Sequence, residues 1–290
     1  MTLLKEYYDN NTKTLIIPYE FNEELKDIPE ETEIIIFSNK INYTYSKFNK
    51  SVDNLPKSLT HLTFCSSFNQ SVDNLPNSLT HLTFGLNFNK SVDNLPKNLT
   101  HLIFVWNSYF NQFVFDLPKN LTHLTFGEKF NQHVDNLPKK LTHLTFGFSF
   151  NHNVDNLPKN LTHLTFGSSF NQPVDNLPKN LTHLEFGYSF NQKVDKLPNF
   201  LTHLSFDKWF NQSIDKLPLS LTHLSFTFTS QFKKSINNLP QNLTHLTLGY
   251  LFNEPINNLP SSIKEIIIKD ENTKKYIKKI PYGANIIIKK

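Results

Sequence analysis

Apolar positions recur along most of this chain in a pattern that repeats at about 20 residues. In Leu161-Thr162-His163-Leu164-Thr165-Phe166-Gly167-Ser168-Ser169-Phe170-Asn171-Gln172-Pro173-Val174-Asp175-Asn176-Leu177-Pro178-Lys179-Asn180, the apolar set is Leu161, Leu164, Phe166, Phe170, Val174 and Leu177. Leu164 and Phe166 alternate with His163 and Thr165, the period-two sign of a strand with one buried face. Thr and Phe are good strand residues. Residues 167–180 carry Gly, Ser, Asn, Asp and Pro at intervals too short for a helix. Leu177-Pro178 would break one, because proline lacks the N–H and restricts the residue before it. Each unit therefore predicts a short strand, a turn, an extended or single-turn return segment, and a second turn. The six apolar side chains are expected to point inward and stack on their copies, at roughly 1.5–3 kcal/mol each when fully buried. One unit alone cannot offset the cost of ordering its backbone, so the units must share surface with neighbours.

The histidine of the unit marks the copies: His61, His81, His101, His123, His143, His163, His183, His203, His223 and His245. The steps are 20 residues except for two of 22, and both longer steps fall just after the strand, at Val105-Trp106-Asn107-Ser108-Tyr109 and Thr227-Phe228-Thr229-Ser230-Gln231. Insertions confined to one place in a unit map to one face of a stack. Degenerate units flank the ten, around Thr14-Leu15-Ile16-Ile17 and Glu33-Ile34-Ile35-Ile36-Phe37 before them and Glu265-Ile266-Ile267-Ile268 and Asn285-Ile286-Ile287-Ile288 after them. The expected architecture is a mainly β repeat solenoid of about 14 turns, one parallel strand per turn. It divides into residues 1–45 as an N-terminal cap, 46–260 as ten repeats and 261–290 as a lysine-rich C-terminal cap.

The strand motif Leu-x-x-Leu-x-Phe, preceded by Leu-Pro, resembles the short leucine-rich repeats. The full unit, Phe-Gly-x-x-Phe-Asn-Gln-x-Val-Asp-Asn-Leu-Pro-x-x-Leu-Thr-His-Leu, is similar more specifically to the FNIP repeat of social amoebae and of giant viruses that infect amoebae. The unit departs from ordinary leucine-rich repeats in its asparagine. The recurrent one follows the phenylalanine, as at Asn69, Asn89 and Asn171, so a buried asparagine ladder is expected in a shifted register. Many members of the family resemble F-box proteins that recruit a ubiquitin ligase. Repeat-like sequence here begins near Thr14, which leaves no room for an F-box, so the resemblance implies only the substrate-capturing half of that role.

Composition adds little chemistry. Of 290 residues, 38% are hydrophobic and 19% charged, enough apolar material for a packed core. The net charge of +4 gathers at the C-terminal end, where Lys264, Lys269, Lys274, Lys275, Lys278, Lys279, Lys289 and Lys290 cluster. Such a cluster reads as a solubilising cap, and nucleic acid is not an expected partner. The lone Cys65 excludes an intramolecular disulfide framework and fits a reducing, cytoplasmic setting. The opening Met1-Thr2-Leu3-Leu4-Lys5-Glu6-Tyr7-Tyr8-Asp9 does not read as a signal peptide, and no apolar run is long enough to span a membrane.

Two rows of residues are candidates for function. The ten histidines are expected on the open face of the sheet at about 4.8 Å steps, where imidazoles bind metal, titrate near pH 6, or serve as polar strand residues. No second ligand type accompanies them, and no metal or other cofactor is expected. The aspartates of Val-Asp-Asn-Leu-Pro read as turn residues, with lysines after the proline offsetting their repulsion. No phosphate loop, nucleophile elbow or zincin motif occurs, so the chain reads as non-enzymatic. Where copies differ, large side chains appear after the strand: Trp106, Tyr109, Phe148, Tyr188, Trp209, Phe228, Tyr250 and Leu251. Trp and Tyr are frequent interface anchors. The sequence thus points to a scaffold that binds a protein partner, with a self-assembling or lattice-binding array as the competing reading.

Overall fold

The structure, a computed structural model, describes residues 4–38 and 46–289. Met1, Thr2, Leu3 and Lys290, and residues 39–45 at the end of the expected N-terminal cap, lie outside the described residues. The chain forms two compact units, Met1–Gly147 and Phe148–Lys290.

In the first unit a 3-10 turn at Leu4–Tyr7 leads into β1 (Tyr8–Asp9), β2 (Thr14–Ile17), β3 (Ile34–Phe37), β4 (His61–Thr63), β5 (His81–Phe84), β6 (His101–Phe104), β7 (His123–Thr125) and β8 (His143–Thr145). β1 pairs antiparallel with β2, and the others follow side by side, parallel and in chain order. The second unit holds β9 (His163–Thr165), β10 (His183–Glu185), β11 (His203–Phe206), β12 (His223–Phe226), β13 (His245–Leu248), β14 (Glu265–Ile268), a one-turn helix α1 (Glu271–Lys274) and β15 (Asn285–Ile288), again parallel and in chain order. The register joins like to like: His183 to His203, Leu184 to Leu204. The expected strand per turn is present, and the return segments are turns and extended chain.

The pattern of burial explains the register. Leu161, Leu164, Phe166, Phe170, Val174 and Leu177 are all buried, as are their copies in the other repeats except Leu259, which is half-buried. Before each strand the proline carbonyl accepts the N–H of the leucine three residues on, as in Leu181 to Pro178 at 3.2 Å. That bond closes the turn which Leu-Pro sets up. Within one turn the two phenylalanines stack face to face, Phe186 on Phe190 at 3.7 Å between ring centres. Between turns the spacing differs across the body. In the second unit it is 4.2 Å for His183 and His203, 5.6 Å for Phe186 and Phe206, and 6.0 Å for Phe190 and Phe210. The first unit repeats this, with 4.2 Å for His81 and His101 against 6.1 Å for Phe68 and Phe88. Turns are wedges, thinner on the histidine side, so each unit bends toward that side.

Glycine after the strand phenylalanine allows the turns to approach. A Cβ at Gly187 would lie 2.2 Å from the carbonyl oxygen of Gly167, closer than any real contact.

Candidate functional site

Two surfaces carry the expected candidates, the strand face and the rim beyond it. On the strand face, His61, His81, His101, His123 and His143 run along the first unit, and His163, His183, His203, His223 and His245 along the second. All ten are half-buried. Adjacent rings within a unit stack nearly parallel at 4.1–4.2 Å, tighter than the expected strand spacing because this is the thin side of the wedge.

The threonine before each histidine fixes its proton. Thr182 Oγ1 donates to the carbonyl of Thr162 at 3.1 Å and lies 2.9 Å from Nδ1 of His183. The same pair of bonds recurs at Thr80 with His81, Thr100 with His101 and Thr202 with His203. A hydroxyl has one proton, and the carbonyl has taken it. Nδ1–H must therefore be the donor to Oγ1, and the neutral ring carries its free lone pair on Nε2. The chain Nδ1–H to Oγ1–H to C=O ties each imidazole to the preceding turn.

This geometry alters the expected titration near pH 6. Burial first, and neighbouring imidazoles second, push His101 and His203 down to about 4. Burial also lowers His81, His123 and His223. A row of stacked rings cannot charge together, because each cation disfavours the next. In the second unit the face dips into a hollow of about 430 Å³ bordered by His163, His183, His203, His223 and Glu185. Among the described residues no group of three or more His, Cys, Asp or Glu side chains is placed to hold a metal.

The rim lies just past the strands. Trp106 is 80% exposed, and Tyr109, Phe148, Tyr188, Trp209 and Tyr250 are exposed as well. Phe228 and Leu251 are half-buried, Phe228 beneath the Lys269 ammonium at 4.6 Å. The structure brings Tyr188 and Trp209 together edge to face at 6.1 Å, with the Lys208 ammonium 5.2 Å from each ring. Lys208 also donates to the Tyr188 hydroxyl at 3.1 Å, and this bond holds the phenol below its ordinary value. The two insertions bulge at the rim without disturbing the core. Phe104 still stacks on Phe110 at 4.0 Å and Phe226 on Phe232 at 4.3 Å, while Ser108 and Ser230 turn inward and are buried.

The opposite side of the turns holds two ladders. Asn191 Oδ1 accepts the N–H of Asn211 at 2.9 Å and the amide of Gln212 at 3.1 Å, and this rung repeats along both units. The shifted asparagine ladder exists, but its members are half-buried or exposed. Its place on the return segment leaves one side open to water. In the aspartate row, Oδ1 accepts from the asparagine of the next turn: Asn74 to Asp53 at 3.0 Å, Asn94 to Asp73 at 3.1 Å, Asn176 to Asp155 at 3.1 Å and Asn238 to Asp215 at 3.0 Å. Oδ2 accepts from a nearby serine, as Ser51 to Asp53. These bonds, serine first, hold Asp53 and Asp215 below the usual carboxylate range. At Asp175 and Asp195 the partner is a lysine in the asparagine position, Lys196 and Lys216, at 3.6 and 3.8 Å.

Several exposed apolar residues escaped the reading of the sequence: Ile103, Phe113, Phe115, Phe200 and Leu219. Each stands where most sister copies carry a polar or charged residue, so a column-by-column comparison of the repeats would have found them.

The FNIP Repeat model matches residues 48–87, 68–104, 110–149, 150–189, 170–196, 190–229 and 232–270. Among solved structures, CroV588, described as a novel circular LRR protein structure, is 38% identical with a TM-score of 0.76, over 94% of this chain and 46% of that one. The chain thus spans about half the length of that protein. YopM from Yersinia enterocolitica WA-314 is 18% identical with a TM-score of 0.43, over 97% of this chain and 81% of that one. No curated protein sequence matches the chain.

Proposed function

The chain belongs to the FNIP repeat family, and from that premise we propose that it is a non-enzymatic scaffold that binds a protein partner through the variable side chains on its turns. One observation carries the reading. The constant residues are spent on structure, as core, histidine stack or ladder, whereas the residues that differ between copies include large aromatics left in solvent. Trp106 and the Tyr188–Trp209 pair are such residues, and rigid aromatic side chains supply contact area at low entropic cost. Burial lowers His81, His101, His123, His203 and His223, which argues against a fully charged docking strip on the strand face. Among the described residues no helix is long and apolar enough to cross a membrane, and the one cysteine is buried and free, in keeping with work in a cytoplasm. Target capture for ubiquitination would have these repeats hold the target.

The test is affinity capture from native cells with the wild-type chain and with Trp106→Ala plus Trp209→Ala. A stoichiometric protein partner that is lost with the double variant is the expected result. Fibres or higher assemblies of the purified chain that capture nothing would replace the scaffold with the self-assembling array.

A further inference from the structure

In most repeats the start of the return segment is polar. Ser91 Oγ donates to Oδ2 of Asp93 at 2.9 Å, a small hydrogen-bonded pair facing water. In the next turn the same two positions are Phe113 and Phe115, which stack on each other at 5.1 Å and remain exposed, Phe115 by 65%. The register of this turn on its predecessor is intact, since the Asn111 N–H still bonds Asn89 Oδ1 at 2.9 Å and the Asn120 amide the Lys97 carbonyl at 3.0 Å. A polar pair has thus been replaced by an aromatic pair on an unchanged backbone. Burying neither ring, this exchange gains the fold little.

The next residue changes as well. Every aspartate rung described above is closed by a donor from the following turn, and for Asp93 that position holds Asp116, an acceptor. Asp93 Oδ1 is buried without a hydrogen-bond partner. Both carboxylates border an open hollow of about 1090 Å³. An acceptor unmet by the protein costs the folded state free energy, and two adjoining carboxylates attract a cation. Trp106 and Tyr109, on the rim of the same turn, extend its exposed aromatic surface.

We propose that this turn is the docking point of the scaffold, and that its partner is a protein segment presenting a guanidinium or ammonium beside an apolar side chain. The cation meets Asp93 and Asp116, and the apolar group packs on Phe113 and Phe115. Arginine suits the site better than lysine, because its planar fork bonds two carboxylates while its face stacks on a ring. This inference rests on the scaffold reading and narrows it to one partner chemistry.

The test is a selection of phage-displayed random peptides on the full chain, followed by affinity measurement on the enriched peptides. The expected winners pair Arg with an aromatic or aliphatic residue and weaken by roughly tenfold or more when Arg is replaced by citrulline. They weaken as much on Phe115→Asp plus Asp116→Asn. That variant restores the Asp-Asn pair of most other repeats at these two positions, so it is expected to fold at least as well as the parent, and a thermal melt matching the parent's rules out unfolding as the cause of lost binding. Peptides without a basic residue, peptides indifferent to the restored turn, or no enrichment at all would each overturn the proposal. The scaffold reading has its own readout. A native partner that survives Phe115→Asp plus Asp116→Asn but is lost with Trp209→Ala leaves it standing and sinks only the assignment to this turn.

Discussion

Asp116→Asn should stabilise the first unit. The change supplies an amide where neighbouring turns have one, and the rungs Asn74–Asp53 and Asn94–Asp73 at 3.0 and 3.1 Å set the geometry it would adopt. Two effects add. An unmet buried acceptor costs about 1–3 kcal/mol, and two carboxylates at neighbouring positions of a ladder repel by on the order of 1 kcal/mol in water. The rung is partly open to solvent, so the lower part of that range applies, and the expected gain is about 1–2 kcal/mol. Urea denaturation of a Trp209→Phe background isolates Trp106, which lies in the altered turn, as the fluorescent reporter. With an m-value of roughly 1–3 kcal/mol/M the midpoint should rise by roughly 0.3–2 M. The reverse change one turn earlier, Asn94→Asp, should lower it by a similar amount. An unchanged or lower midpoint for Asp116→Asn, or a silent Asn94→Asp, would refute the argument that these ladders run on donor–acceptor complementarity.

Acid should weaken the fold through the histidines. His101 and His203 sit at about 4 in the folded chain, below the ordinary value of 6.5, so between those values the unfolded chain binds protons that the folded chain refuses. Stability is therefore full above pH 6.5 and falls as the pH drops toward 4. Thermal melts across that range check the sign, and a flat profile would contradict the neutral ladder. Gly187→Ala forces a Cβ to 2.2 Å from the Gly167 oxygen, and a loss of roughly 1–3 kcal/mol or more is expected in calorimetry of the second unit. Asn191→Ala removes the acceptor for Asn211 N–H and the Gln212 amide and should cost about 1–2 kcal/mol, with faster amide exchange at Asn211.

The strand, the turn and the buried set were legible because each rests on a short-range rule repeated many times. The period-two run His163–Phe166 gives the face, Leu177-Pro178 gives the turn, and a repeat that stacks on itself must place Phe170 on its copies. The spacing of the histidines was not legible. Strand pairing alone predicts a uniform separation, whereas the two phenylalanines per turn thicken one side and draw the imidazoles together on the other. The histidine tautomer was hidden for a related reason, since it depends on the threonine just before the histidine meeting a carbonyl of the preceding turn. The rim residues Trp106 and Trp209 stood out by type. Phe113 and Phe115 did not, because phenylalanine is abundant in the core and only the register shows these two in polar positions. The missing donor at Asp116 becomes visible only once the asparagine of one turn is known to serve the aspartate of the turn before.

The two longer turns have a consequence for how the chain finds its fold. Near-identical repeats offer a folding chain many wrong solutions, because pairing a strand with its second neighbour, leaving one turn looped out, forms almost the same contacts as the right pairing. Little energy separates these alternatives, and a repeat sequence copied without variation has a nearly degenerate landscape. Each unit contains one turn that carries two extra residues at its rim, closed by a buried serine, Ser108 in the first and Ser230 in the second. The glycine that follows in the next turn, Gly127 or Gly249, is fitted to that serine, with a Cβ there falling 2.5 or 3.0 Å from the serine Cβ. A slipped alignment brings the bulge against a turn not shaped for it. The irregular turns thus act as index marks, giving each unit one place from which the identical neighbours can be counted.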